Sequence, residues 1–358
     1  MIDTLLEKNL VPDFMIRRGI RKLNRARLCS EEESLKQGSK ENLIAELKQM
    51  PVAIETRAAN DQHYEVPPEF FQLCLGKHLK YSCCYWPEGT ETLDAAEERM
   101  LELTCERADL QDGQNVLELG CGWGAISLWM AEHYPNSKIV SVSNSADQRE
   151  FILARAKERK LQNLEVQTHD MNHFDIDRQF DRVVSVEMFE HMKNYEELLS
   201  RISRWLKPEG KLFVHIFSHK EYAYHFETNG DSNWLGRHFF TGGIMPSDDL
   251  LGTFDSDMKI MEQWQVNGVH YHKTSEAWLE NMDRHKSEIK TIFSQTYGPD
   301  QTTKWWTYWR IFFMACSELW KTNNGDEWIV SHYLFEKGNK CPPSLSSERS
   351  SQVTHQSR

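Results

Sequence analysis

The chain has 358 residues, 39% of them hydrophobic and 27% charged, and a formal net charge of −12. That length and apolar fraction suffice to bury a core without disulfide or metal staples, and they argue against a mainly disordered chain. The acidic balance, with no Lys/Arg stripe, argues against nucleic acid or an anionic membrane surface as the main partner.

Residues 1–62 read as helical and partly basic, with Arg17 to Arg27 taken as a solvated helix face. A loop follows at Tyr64 to Pro68, then a helix towards Gly76 and another from about Leu93 to Ala108. From 114 onward short apolar runs alternate with helical stretches. Strands are expected at Asn115–Leu119, Lys138–Ser143, Leu164–Thr168, Asp181–Val186 and Lys211–Ile216, with helices over 124–133, 146–160 and 194–206. This alternation predicts a parallel sheet covered on both faces. Tyr222 to Pro246, rich in aromatics, Gly and Pro, fits no βαβ unit, and the Ser/Gln-rich tail from Cys341 reads as disordered. No apolar run reaches the roughly 18 residues of a membrane span, and the N-terminus has no signal-peptide core. The eight cysteines are scattered, without Cys-x-x-Cys or zinc spacing, so no metal and a reducing compartment, the cytoplasm, are expected.

The most specific signal lies at the first strand, Val116-Leu117-Glu118-Leu119-Gly120-Cys121-Gly122-Trp123-Gly124. An apolar strand runs into a glycine turn, and a helix follows. Gly-x-Gly-x-Gly differs from the spacing that cradles a dinucleotide pyrophosphate. Glu118, just before the turn, is placed to meet a ligand ammonium.

With this turn, four further motifs occur in order: Tyr81-Ser82-Cys83-Cys84-Tyr85-Trp86, Ser143-Asn144-Ser145-Ala146-Asp147-Gln148, Glu187-Met188-Phe189-Glu190-His191-Met192-Lys193-Asn194-Tyr195 and Gly242-Gly243-Ile244-Met245-Pro246-Ser247. The set resembles class I S-adenosylmethionine-dependent methyltransferases. More narrowly it resembles the cyclopropane-fatty-acid synthase superfamily, and within it the coclaurine-type amine N-methyltransferases, over residues 60–337. The resemblance implies an α/β fold. A Rossmann-like sheet at 110–217 would bind the cofactor, beneath a helical N-terminal region at 1–109 and a cap insertion at 218–262. Residues 263–337 would complete the core and pocket, ahead of the tail at 338–358.

The resemblance also distributes roles. Gly120 and Gly122 would lie against the methionine half of S-adenosylmethionine, with Tyr81 and Ser82 on its carboxylate. Asn144 and Gln148, with Ser143 beside them in the cofactor site, would hold the ribose, and Asp170, Met171 and Asn172 would lie at the adenine. Glu187, Glu190 and His191 match the catalytic set of the N-methyltransferases. Their chemistry suits the task, because a carboxylate pair binds an ammonium and a carboxylate or His can take its proton. Cys316 matches a cysteine sometimes assigned as catalytic, although methyl transfer to an amine needs no thiol. Trp86, His215, Phe240, Tyr271, Trp309 and Phe313 are candidates for the substrate wall, where aromatic rings can hold a cationic amine.

The implied activity is N-methylation of a small aromatic amine of benzylisoquinoline or phenylalkylamine type. No nucleic acid or stable membrane association is expected, and a homodimer is left open. The alternative is cyclopropane-type lipid methylene transfer, since Cys83, Glu190, His215 and Tyr271 match the bicarbonate pocket of those synthases. Glu187, standing where they carry a small residue, argues against it, as do the short N-terminal region and the net charge.

Overall fold

The apolar runs after residue 114 become the centre of one seven-stranded sheet. The computed structural model describes residues 2–54, 66–228 and 234–338. The expected helix over 55–62, the start of the loop at 64–68 and the tail from Cys341 lie outside the described residues.

The N-terminal region folds as α1 (Ile2–Glu7), α2 (Asp13–Lys36), α3 (Ser39–Leu47), α4 (Pro68–Cys74) and α5 (Leu93–Arg107). The sheet region runs β1 (Asn115–Leu119), α6 (Ala125–His133), β2 (Lys138–Ser143), α7 (Ala146–Glu158), β3 (Leu164–Thr168), β4 (Phe180–Val186), α8 (Tyr195–Trp205) and β5 (Leu206–His219). A two-stranded ribbon, β6 (Tyr224–His225) with β7 (Ile244–Met245), brackets the short α9 (Trp234–His238). Then follow β8 (Met258–Val266), α10 (Val269–Arg284), α11 (Lys286–Tyr297), α12 (Thr302–Trp320) and β9 (Trp328–Lys337).

The strand order is β3-β2-β1-β4-β5-β9-β8. The first five strands are parallel, whereas β9 runs antiparallel to both β5 and β8. The parallel sheet read from the sequence is therefore mixed at one edge. β5 also overruns its expected end at Ile216, because β9 pairs with it out to His219 opposite Trp328.

Local chemistry explains the elements. Asn194 caps α8 by accepting from the Glu197 N–H, and Tyr195, Leu198, Leu199, Ile202 and Trp205 form its buried stripe. Strand order reverses between β1 and β4, and a doubly wound sheet opens its ligand crevice at the carboxyl end of such a reversal. Over that end packs a helical layer of α4, α10 and α12.

The basic face of α2 is not wholly solvated. Arg18, Lys22 and Arg25 are exposed. Arg17 turns inward to Glu276 at 2.6 Å and Glu318 at 3.1 Å, and Arg21 reaches Glu318 at 3.0 Å, pinning α2 to α10 and α12.

Candidate active site

Three cavities meet at the carboxyl end of β1 and β4, and Glu187 lines all of them. The first lies over the glycine turn and the ends of β2 and β3. The second is a buried cleft beneath that turn. The third is an aromatic chamber under α12 and the cap. His191 lines the first and third, and Tyr81 the second and third.

The first cavity gathers Gly120, Gly122, Ser143, Asn144, Gln148, Asp170 and Met171. Gly120 and Gly122 have φ of +82° and +50°, a region L side chains avoid. A Cβ on Gly120 would strike Met188, whereas one on Gly122 would meet nothing within 4 Å. Gly122 therefore borders open space that a ligand can fill. Gln148 is 1% exposed and its Oε1 accepts from Ser143 Oγ at 2.6 Å. Its buried Nε2 has no partner among the described residues, which suits a ligand hydroxyl.

Asn172, expected at the adenine, stands apart from the other cofactor candidates. Its side chain accepts from Ala53 N and donates to Ala53 O, both at 3.0 Å, so it clamps the backbone and lines none of the three cavities. Asp170 does line the first cavity and turns its chain by accepting from Asn172 N at 2.8 Å.

The cleft holds Tyr81, Ser82 and Glu118, with a residue the sequence reading passed over, Lys80. Lys80 is 2% exposed; its Nζ donates to Ser82 Oγ and, at 2.8 Å, to Cys83 O. Its signal was faint: a single Lys just before the Tyr81-Ser82 motif. Glu118 does not present a bare carboxylate to the cleft, because Ser127 and Ser141 donate to its Oε2 at 2.5 and 2.6 Å. Burial pushes this carboxyl up to about 7.

The segment after β4 does not wind into a regular helix. Glu187 takes φ +46° while its N–H still pairs with His215 O on β5 at 2.8 Å. Only one 3₁₀ turn, Phe189–His191, follows. The turn nevertheless brings Glu187, Glu190 and His191 to one chamber.

Glu187 is held by three donors. Cys83 N and His215 Nε2 donate to its Oε1 at 2.9 and 3.2 Å, and the Tyr271 hydroxyl donates to Oε2 at 2.6 Å. Glu190 is 2% exposed, and its Oε2 has no partner among the described residues. Burial raises both carboxyls. Lys80, the Cys83 N–H and the Tyr271 O–H pull Glu187 back, whereas the neighbouring Glu187 charge drives Glu190 well above the usual range. Both carboxyls are thus raised, Glu190 the further, so the proton the pair shares is held more by Glu190 than by Glu187.

The chamber wall is Phe217, Phe226, Phe240, Phe312, Tyr271 and Trp320, with Cys316 beside them. Of the residues expected there, Phe240 and Tyr271 are in place. Trp309 and Phe313 sit behind the wall, fully buried against Phe70 and Trp278, and Phe312 takes their position. Trp86 lies outside the chamber, its Nε1 donating to Thr274 at 3.0 Å. His215 is also one layer out, beneath Glu187. Burial pushes the Cys316 thiol far above its usual value, so it is no nucleophile at neutral pH.

Comparison with known proteins matches this architecture. Residues 53–328 fit the family model of mycolic acid cyclopropane synthetase. The chain is 40% identical to (S)-coclaurine N-methyltransferase of Thalictrum flavum subsp. glaucum, over 93% of this chain and 94% of the relative. It is 31% identical to cyclopropane-fatty-acyl-phospholipid synthase of Escherichia coli K12, over 77% of this chain and 67% of that protein. A crystal structure of coclaurine N-methyltransferase bound to N-methylheliamine and SAH superposes with a TM-score of 0.90 at 39% identity, covering 94% of this chain and 99% of the other. Sheet topology, glycine turn and acidic site thus converge with these likenesses: the chain belongs to the mycolic acid cyclopropane synthetase family, and within it to the coclaurine-type N-methyltransferases.

Proposed function

We propose that the protein is an S-adenosylmethionine-dependent N-methyltransferase of small aromatic amines. One observation carries the reading: Glu187, held by three donors at the meeting point of three cavities, beside Glu190, whose buried Oε2 has no partner among the described residues. Gly120, Gly122, Asn144, Gln148, Asp170 and Met171 would hold the cofactor, with Lys80, Tyr81 and Ser82 on its carboxylate side. Bound S-adenosylmethionine supplies an electrophilic methyl group.

The chain's own residues do the rest. The aromatic chamber takes the ring system and excludes water, and its π faces favour an ammonium. Glu187, ionised, attracts that ammonium and orients its nitrogen. A displacement at carbon needs a free lone pair, so the ammonium proton must leave. Glu190, which gives its own proton to solvent as the ammonium charge arrives beside the pair, then accepts it, and its raised proton affinity brings it closer to a match with an amine. His191, lining both chamber and cofactor cavity, orients the nitrogen between them.

The lipid alternative is weakened by the same geometry. Cys83, His215 and Tyr271, the residue types that resemble a bicarbonate pocket, are taken up by the Glu187 carboxylate. No helix of the described residues is long and apolar enough to cross a membrane. The free cysteines among the described residues fit a reducing compartment, and we place the enzyme in the cytoplasm.

The test is methyl transfer from labelled S-adenosylmethionine to a tetrahydroisoquinoline, a phenylalkylamine and an unsaturated phospholipid. Label on an amine is expected. Label in the lipid alone would overturn the reading.

A further inference from the structure

Behind Glu187 a row of side chains runs across adjacent strands of the sheet to the end of α5. Arg107, the last residue of α5, donates from Nη1 to His332 Nδ1 at 2.8 Å. His332 Nε2 lies 2.8 Å from His215 Nδ1, and His215 Nε2 lies 3.2 Å from Glu187 Oε1. The sheet register builds the row, for His215 on β5, His332 on β9 and Trp264 on β8 are successive strand partners. The Arg107 guanidinium rests 5.0 Å above the Trp264 ring.

The order of donors is forced. An arginine can only donate, so His332 Nδ1 accepts and its proton sits on Nε2. That proton is given to His215 Nδ1, which leaves the His215 proton on Nε2, facing Glu187. Both imidazoles are fully buried, and burial with the Arg107 and Lys80 charges holds them well below the usual histidine range. The row is therefore two neutral rings between a fixed cation and a carboxylate, with every hydrogen bond pointing towards Glu187.

We propose that Arg107 and His332 are positioning residues for methyl transfer, acting through His215 to hold the Glu187 carboxylate in place and favour its anionic form. Neither residue lines any of the three cavities at the site. The inference rests on the amine reading above. Without this row, Glu187 loses a donor and competes with Glu190 for the proton the pair shares. The other titratable groups facing Glu187 are Lys80, Tyr81, the Cys83–Cys84 pair, Glu190, His191, Tyr271 and Cys316. All of them stay in place when Arg107 or His332 is changed, so a change in the pH profile reports on the row.

The experiment compares wild type with Arg107→Met, His332→Phe and His332→Gln, methylating a tetrahydroisoquinoline between pH 6 and 9. Losing a hydrogen bond to a charged group is expected to lower kcat/KM about ten- to hundredfold near neutrality in the first two variants. Their acidic limb should move to higher pH, so the loss shrinks towards pH 9, with the KM for S-adenosylmethionine little changed. His332→Gln, keeping a donor and an acceptor, should retain more activity than His332→Phe. If Arg107→Met does not fold, the two His332 variants carry the test. In ¹⁵N-histidine NMR of the wild-type chain, both rings should carry their proton on Nε2. A uniform loss at every pH, unchanged kcat/KM, or an Nδ1 proton on His215 would overturn the inference. Wild-type failure on every amine would overturn the amine reading instead.

Discussion

Glu190 buries a carboxylate oxygen that nothing among the described residues satisfies, a cost of about 1–3 kcal/mol unless a ligand repays it. Glu190→Gln keeps the shape and removes the base; kcat should fall about 10²–10⁴-fold. Its affinity for S-adenosylmethionine, read by calorimetry, should stay within about threefold, since Glu190 does not line the first cavity. Gln148→Leu should do the reverse. Losing one donor to the ligand weakens cofactor binding about tenfold while kcat at saturation is retained. Cys316→Ala should leave turnover within about threefold, because its thiol stays protonated at neutral pH. At this scale the Glu187, Glu190 and His191 set was legible, since three ionisable residues follow an apolar strand directly. Lys80 was not, because a lone Lys carries no signal until the fold buries it.

The glycine turn and α12 show how an element's geometry sets the consequence of a change. Gly120→Ala adds a Cβ against Met188 at a positive φ and should cost roughly 2–4 kcal/mol in stability, seen in urea unfolding. Gly122→Ala also has positive φ but opens onto empty space; it should fold with a loss of about 1–2 kcal/mol and fail mainly in cofactor binding. On α12 the sequence shows an aromatic run without its phase. One residue turns a helix by about 100°, so Phe312 and Cys316 face the chamber while Trp309 and Phe313 face α4 and α10. Which stripe looks inward depends on what packs on either side. Strand β5 offered a clearer hint. Its period of two puts His215 and Phe217 on one face, one under Glu187 and the other in the chamber wall.

Across the whole molecule, buried carboxyls tie stability to pH. Glu118 is raised from about 4.5 to about 7 by burial, so the folded chain holds its proton where the unfolded chain has lost it. Its contribution to stability is present below about 4.5 and is lost as pH rises towards about 7. Glu118→Gln should therefore raise the melting temperature of the ligand-free enzyme at pH 8 relative to wild type and change it little at pH 5. Equal effects at both pH values would show that Glu118 is not proton-linked to folding. The sequence by itself determined the alternating strands and helices, the glycine turn and the acidic cluster after β4, because each is written in neighbouring residues. Only the tertiary structure decided the antiparallel edge formed by β8 and β9, the phase of α12 and the row from Arg107 to Glu187. Those depend on residues from distant parts of the chain, such as Arg107 and His332, 225 positions apart, brought together by strand register and burial, which no local pattern encodes.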